Sequence, residues 1–209
     1  MNIEAFAVGF LGTNCYLVHD GKSAVIIDPG ADGERILARV EELGVKIEYV
    51  FLTHGHFDHT MSVKGITDKT GARLVSTEGE RIRLTDASVS GHTMLRNREF
   101  TPLCADLEVR DGEIITVGDM KFMFLITPGH TEGSVCIMAE DVIFSGDTLF
   151  RGTCGRCDLA GGDISDMFKS LRRLYELSGD YRVLPGHEEE TTLSRERTEN
   201  PYMAEAIRR

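Results

Sequence analysis

Three shortages bound this chain before any motif is read. Cysteine is scarce: Cys15, Cys104, Cys136, Cys154 and Cys157 make an odd, scattered set, which suits reduced thiols and leaves no disulfide framework. Positive charge is short, with 23 Lys and Arg against 34 Asp and Glu and a formal net charge of −11. The field of such a chain repels nucleic-acid phosphates and anionic membranes, so neither is expected as a partner. Long apolar runs are also missing, since the best candidates are broken by Asp, Gly or Lys well before the roughly 20 residues needed to span a bilayer. Residues 1–10 carry Asn2 and Glu4 with no basic stretch leading into an apolar one, so they read as a first strand rather than a signal peptide. A cytoplasmic location is the expectation.

What is present fits one soluble domain. Of 209 residues, 41% are hydrophobic and 27% charged, enough to bury a sizeable core, and no low-complexity linker, short repeat or composition shift divides residues 1–209. Strand-like runs at 3–10, 15–18 and 24–27 are separated by turn residues. Residues 33–43 then place Ile36, Leu37, Val40 and Leu43 on one helical face, and Gly44 stops the helix. A strand at 49–53, a His-rich loop, a helix near 61–69 and a strand at 73–76 follow. Residues 85–105 have no clear period and read as an active-site flap or a surface connection. Strands at 113–117, 121–126, 134–138 and 142–145 precede a Gly-rich loop at 151–162, a helix at 164–177, a strand at 182–184 and a polar helical tail. The layout is mixed α and β: two β-rich halves stacked face to face, each covered by helices on its outer side.

The strongest signal is Thr53-His54-Gly55-His56-Phe57-Asp58-His59, directly after a strand. In an extended loop, residues two apart point the same way, so His54 and His56 can bind one cation while Asp58 and His59 turn toward a neighbouring position. Gly55 permits the tight backbone this needs. Three further stops each follow a strand: Thr127-Pro128-Gly129-His130-Thr131, Ser145-Gly146-Asp147-Thr148 and Pro185-Gly186-His187. Each alone is an ordinary turn. Together with the first motif they supply five His and two Asp, enough for two adjacent metal ions. Imidazole and carboxylate ligands without thiolate suit zinc first, with iron and manganese also compatible.

This set resembles the metallo-β-lactamase superfamily of binuclear metallohydrolases, over nearly the whole chain and including Ile27-Asp28-Pro29-Gly30. Gly146-Asp147-Thr148-Leu149-Phe150, followed by Gly155-Arg156 and Gly161-Gly162-Asp163, is similar to the short, single-domain form of the glyoxalase II (hydroxyacylglutathione hydrolase) branch. The resemblance implies an α+β fold, a four-layered αββα sandwich. It implies one metal on His54, His56 and His130, a second on Asp58, His59 and His187, and Asp147 bridging both. Asp58 would also orient a shared hydroxide, whose parent water two cations bring toward neutral pKa. The implied substrate is a small acyl thioester such as S-lactoylglutathione, whose thiolate is a good leaving group. Arg156 matches the basic residue that touches glutathione in that branch, and Arg151, at the start of the same loop, is a second candidate contact. Where the branch often has an aromatic residue this chain has Asp158, and only 22 residues follow His187, where long glyoxalase II enzymes continue into a helical domain.

Asp28, Thr53 and Thr131 are candidates to anchor the ligand imidazoles or their loops, and Asp28 reads equally well as a helix N-cap. His19 and His92 read as surface residues. Cys154 and Cys157 read as an incidental pair in the substrate loop, with a redox-sensitive thiol as the alternative. Two other reactions suit the ligand set: an iron-dependent persulfide dioxygenase and a lactonase. A structural metal protein is disfavoured because closed structural zinc sites are Cys-rich.

Overall fold

The computed structural model describes residues 1–95 and 99–209. Strands β1 (Asn2–Val8), β2 (Thr13–His19), β3 (Ser23–Ile27), β4 (Lys46–Phe51), β5 (Arg73–Thr77) and β6 (Leu107–Val109) form one sheet in sequence order. The first three are an antiparallel meander and the last four run parallel. Helix α1 (Gly33–Leu43) joins β3 to β4, while α2 (Phe57–Thr60) and α3 (Val63–Thr70) join β4 to β5, and α4 (Arg81–Thr85) follows β5. The second sheet starts as the meander β7 (Ile114–Val117), β8 (Met120–Ile126), β9 (Val135–Ala139) and β10 (Val142–Gly146). A small ribbon of β11 (Leu149–Phe150) and β12 (Thr153–Cys154) precedes α5 (Ile164–Tyr175). Strand β13 (Arg182–Pro185) then returns parallel to β10, β14 (Thr191–Thr192) closes the sheet edge, and α6 (Leu193–Glu199) and α7 (Pro201–Ala206) complete the chain.

Alternation along the strands builds the layers, because successive side chains point to opposite faces. Tyr16, Val18, Val25 and Ile27 face the second sheet and meet Phe122, Phe124 and Phe144, whereas Cys15, Leu17, Ala24 and Ile26 face α1 and α3. Phe51 sits edge-on between Phe122 and Phe124, with ring centroids 5.2 and 5.1 Å away. On the far side, Leu125, Cys136, Ile143 and Val183 pack against Met167, Leu171 and Leu174 of α5 and Met203 of α7. The result is the expected four-layered αββα sandwich. Helix α1 has the predicted bounds because Ile36 and Val40 are buried, and Gly44 takes the left-handed φ of 65° that ends it.

His19 and His92 correct the reading of both as surface residues: they are 7% and 8% exposed. His19 ends β2 between its partners Asn2 and Ala24, and His92 packs against Phe57 and Phe100. All five cysteines are free thiols. Among the described residues no helix is long and apolar enough to cross a membrane.

Candidate metal centre

Strands β4, β8, β10 and β13 all end at the same edge of the sandwich, and the chain segments that leave them converge there. Leu52 continues the first sheet by donating its N–H to Val75 O at 3.0 Å. Thr53 is then turned by buried Asp28, whose Oδ1 accepts the Thr53 N–H at 2.8 Å and whose Oδ2 accepts its hydroxyl at 2.5 Å. Gly55 donates its N–H to Glu80 Oε2 at 2.8 Å, and a Cβ there would lie 2.8 Å from that oxygen. One expectation needs correcting. Asp58 and His59 do not lie in an extended loop but on the short helix α2, which starts directly after His56; the helical turn is what swings them to a second position.

Three overlapping groups of donor atoms result, each within 4.8 Å: His54, His56 and His130; Asp58, His59 and His187; and His54, His59 and Asp147. His56 Nδ1 and His130 Nε2 are 2.9 Å apart, and His59 Nε2 and His187 Nε2 3.4 Å. Asp58 Oδ2 lies 3.2 Å from His187 Nε2 and 3.6 Å from His59 Nε2. Asp147 reaches both groups, with Oδ2 3.5 Å from His130 Nε2 and Oδ1 3.6 Å from His59 Nε2. Ligand atoms around one tetrahedral ion with bonds of about 2.0–2.1 Å are themselves about 3.3 Å apart, so these spacings fit two adjacent cations. Of the five buried side-chain atoms without a hydrogen-bond partner among the described residues, two, His54 Nε2 and Asp147 Oδ1, belong to these groups, as expected of donors aimed at an ion. Glycine makes the packing possible, since a Cβ on Gly186 would lie 2.3 Å from Asp147 Oδ1 and 2.8 Å from His59 Cε1. No cysteine enters any group, and the donor set suits zinc, iron or manganese.

The outer nitrogens are fixed as well. His59 Nδ1 donates to Asp28 Oδ2 at 3.0 Å, and His54 Nδ1 lies 3.2 Å from Thr53 Oγ1. Asp28 is therefore a support for the ligands rather than a helix cap; the residue before α1 is Asp32. His130 Nδ1 donates to the backbone carbonyl of Arg156 at 2.7 Å, which leaves Nε2 free to face the site. Thr131 reaches no ligand ring and instead donates its hydroxyl to Glu80 Oε1.

Sequence reading missed four supports. Thr13 donates its hydroxyl to Asp58 Oδ2 at 3.1 Å. Glu80 and Arg83, each 1% exposed, pair at 3.0 Å in the core. Glu80 gathers Gly55, Thr131 and Gly133, while Arg83 donates to Ala160 O at 2.7 Å. The fourth is the Arg156 carbonyl. Of the two expected substrate contacts, Arg156 lines the cleft over the ligands, and Arg151 pairs with Glu189 away from it. The unpatterned segment 85–105 does reach the site: Ser88 to Gly91 line the cleft, and Ser90 O accepts the Phe57 N–H at 3.0 Å. Its residues 96–98 lie outside the described residues.

The groups' proton affinities split by side. Burial, then the neighbouring imidazoles and Arg83, holds His54 well below its ordinary value and His56 at about 3. Burial also acts to lower His59, but Asp58, Asp28 and Asp147 outweigh it and raise that imidazole to about 10. His187 is raised by its bond to Asp58 and by Asp147 against the opposing effect of burial. Asp58 is lowered by His59, His187 and Thr13, against burial that pushes it up. The consequence for chelator-treated protein follows from linkage. His59 stabilises the fold fully below the unfolded value of about 6.5, and this contribution is lost as pH rises toward about 10. His54 and His56 work the other way, because below pH about 6.5 the unfolded chain takes protons that the folded chain refuses. The urea midpoint of chelated protein should thus peak near neutrality and fall on both sides, and Asp28→Asn should flatten the alkaline limb. A midpoint constant from pH 7 to 9.5 would contradict the assignment of His59.

The chain is similar to known proteins over nearly its whole length. The chain is 35% identical to the probable metallo-hydrolase YqgX of Bacillus subtilis, covering 97% of this chain and 98% of that one. It is 31% identical to the hydroxyacylglutathione hydrolase GloC of Haemophilus influenzae, over 97% and 98%. Among solved structures it is similar to the B3 metallo-beta-lactamase BLEG-1 (TM-score 0.90, 33% identity, 97% and 99% covered). It is also similar to ETHE1 from Myxococcus xanthus (0.83, 30%, 98% and 85%) and to TTHA1623 in a di-iron-bound form (0.86, 33%, 95% and 99%). The family profile matches residues 8–187, a span that takes in all seven His and Asp donors, and the chain belongs to the metallo-beta-lactamase superfamily.

Proposed function

We propose that the protein is a metal-dependent hydrolase of small acyl thioesters, using two divalent ions, with zinc the first choice. The observation that carries the reading is the completeness of both donor groups: Asp58, His59 and His187 stand beside His54, His56 and His130, with Asp147 reaching both. A pair of bound cations supplies Lewis acidity toward a carbonyl and makes water a nucleophile at neutral pH. Asp58, held ionised and accepting from Thr13, offers a carboxylate oxygen to position the O–H of the attacking water. The Arg156 carbonyl keeps the proton of His130 on Nδ1, away from the cleft. Water adds its oxygen to the acyl carbon and gives up one proton, the C–S bond breaks, and the sulfur leaves with the bonding pair as a thiolate that then takes up a proton from solvent, so the net products are a carboxylic acid and a thiol. A thiolate leaves without protonation, so no separate general acid is called for. The likeness to the H. influenzae hydroxyacylglutathione hydrolase supports this reaction class.

The test is metal quantification and an activity panel on one preparation, loaded separately with zinc, iron and manganese. Two ions per chain and thiol release from S-lactoylglutathione or simpler acyl thioesters are expected. Two loaded ions with no thiol released from any thioester would defeat the reading, as would one iron per chain with oxygen uptake on glutathione persulfide. Lactone or β-lactam opening faster than any thioester would move the assignment to those substrates.

A further inference from the structure

The cleft over the ligands has a volume of about 360 Å³ and two walls of different chemistry. One wall carries ligands, including Asp58, His130, Asp147 and His187. The other is Leu11, Phe57, Val89, Met94 and Leu159, interleaved with the uncharged hydroxyls of Ser88, Ser90 and Thr93. The apolar wall continues onto the rim. Leu11 is 49% and Met94 66% exposed, and Phe10, 67% exposed, stacks on Phe57 with centroids 6.3 Å apart. Three of the large apolar side chains that the protein leaves in water thus gather at the mouth of the cleft, where a ligand would cover them.

Charge excludes one class of occupant. Among the described residues Arg156 is the sole Lys or Arg lining the cleft, and its guanidinium is held by both oxygens of Asp158 at 2.7 Å each. A carrier with carboxylates would have to compete with Asp158 for that cation and approach a chain of net charge −11. Glutathione, with two carboxylates and one ammonium, finds no unpaired Lys or Arg among the described lining residues.

Resting on the hydrolase reading, we infer that the cleft selects its substrate by an uncharged aliphatic acyl chain. The carbonyl meets the ligand wall, the tail lies along Leu11, Phe57, Val89, Met94 and Leu159, and the thiol carrier's carboxylates are not read. About 360 Å³ is at the small end of ligand sites, which suits a chain of a few carbons.

The experiment uses metal-loaded protein and neutral N-acetylcysteamine thioesters of acetyl, butanoyl and hexanoyl groups, beside the same acyl groups on glutathione. Each methylene moved from water to an apolar wall should raise kcat/KM about threefold to fourfold, so hexanoyl should exceed acetyl by a factor on the order of 100. The glutathione carrier should bring less than about threefold advantage. Leu11→Asn and Met94→Asn, both at exposed positions where folding is little affected, should lower the hexanoyl-to-acetyl ratio by about fivefold or more. They should also weaken binding of the unreactive S-hexyl-N-acetylcysteamine thioether measured by calorimetry. A flat chain-length series, a preference of tenfold or more for glutathione, or variants that leave both ratio and thioether binding unchanged would overturn the inference. Failure to cleave any thioester would instead defeat the hydrolase reading, while thioether binding would still report on the apolar wall.

Discussion

Replacing Glu80 with alanine is expected to cost about 3–5 kcal/mol of folding stability, the range for breaking a fully buried ion pair. The side chain is 1% exposed and four groups depend on it: the Gly55 and Gly133 N–H groups, the Thr131 hydroxyl and the Arg83 guanidinium. Without the carboxylate, Arg83 remains in the core as a cation with Ala160 O as its remaining acceptor. Against a total stability of about 5–15 kcal/mol, a loss of this size leaves the protein marginal at best. Removing both charges should do less harm than removing one, because desolvation of an unpaired ion is the larger part of the penalty. Glu80→Met with Arg83→Met should therefore recover at least half of the loss in urea titration. A single-variant loss below about 1 kcal/mol, or a double variant as unstable as the summed singles, would refute the role of the pair. Affinity for metal should fall in the same variants by about 10–100-fold, because Glu80 fixes Gly55 between two ligands and Thr131 beside a third.

Asp147→Ala should show the opposite division, with activity lost and the fold kept. Its carboxylate approaches His130, His59 and His187 at 3.5, 3.6 and 3.7 Å, so the residue that reaches both donor groups is lost. Turnover should drop by about 10³-fold, as when a principal transition-state contact is removed, and bound metal should fall below two per chain. Stability of the chelated protein should change by about 2 kcal/mol or less, since Asp147 Oδ1 has no hydrogen bond to lose and what goes is its charge beside His59. His59→Ala should likewise abolish turnover. Retained activity in both variants, with intact circular dichroism, would overturn the catalytic reading.

Much of this was legible in the sequence, for identifiable reasons. The seven candidate donors stood out because His and Asp recur after strands with Gly or Pro-Gly beside them; the order of strands and helices pointed to two stacked β-rich halves with helices outside, and the family resemblance implied the four-layered sandwich. Helix α1 was readable because its apolar period ends at a glycine. Strand β6 was not, because Leu107–Val109 exists only through parallel pairing with β5, 30 residues upstream, and carries no pattern of its own. Glu80 and Arg83 were unreadable for a related reason. An acid and a base three apart read as a solvated helical pair, and only the closure of the ligand loops over them makes the pair internal. His92 misled similarly, since its burial depends on Phe57 and Phe100. Helix α2 hid inside the His motif, where ligand spacing was visible and backbone curvature was not.

One contact has a bearing on how such a protein can change. His130 is oriented by the main-chain oxygen of Arg156, an atom that every amino acid possesses. The side chain at 156 projects from the same residue into the cleft, paired with Asp158. Support of a donor imidazole and lining of the cleft thus share a residue without sharing an atom. Substitutions at 156 and 158 change the lining of the cleft while the imidazole beneath keeps its backbone acceptor, so the cleft on this scaffold is open to single-step change without passing through a protein whose donor cluster has lost its support.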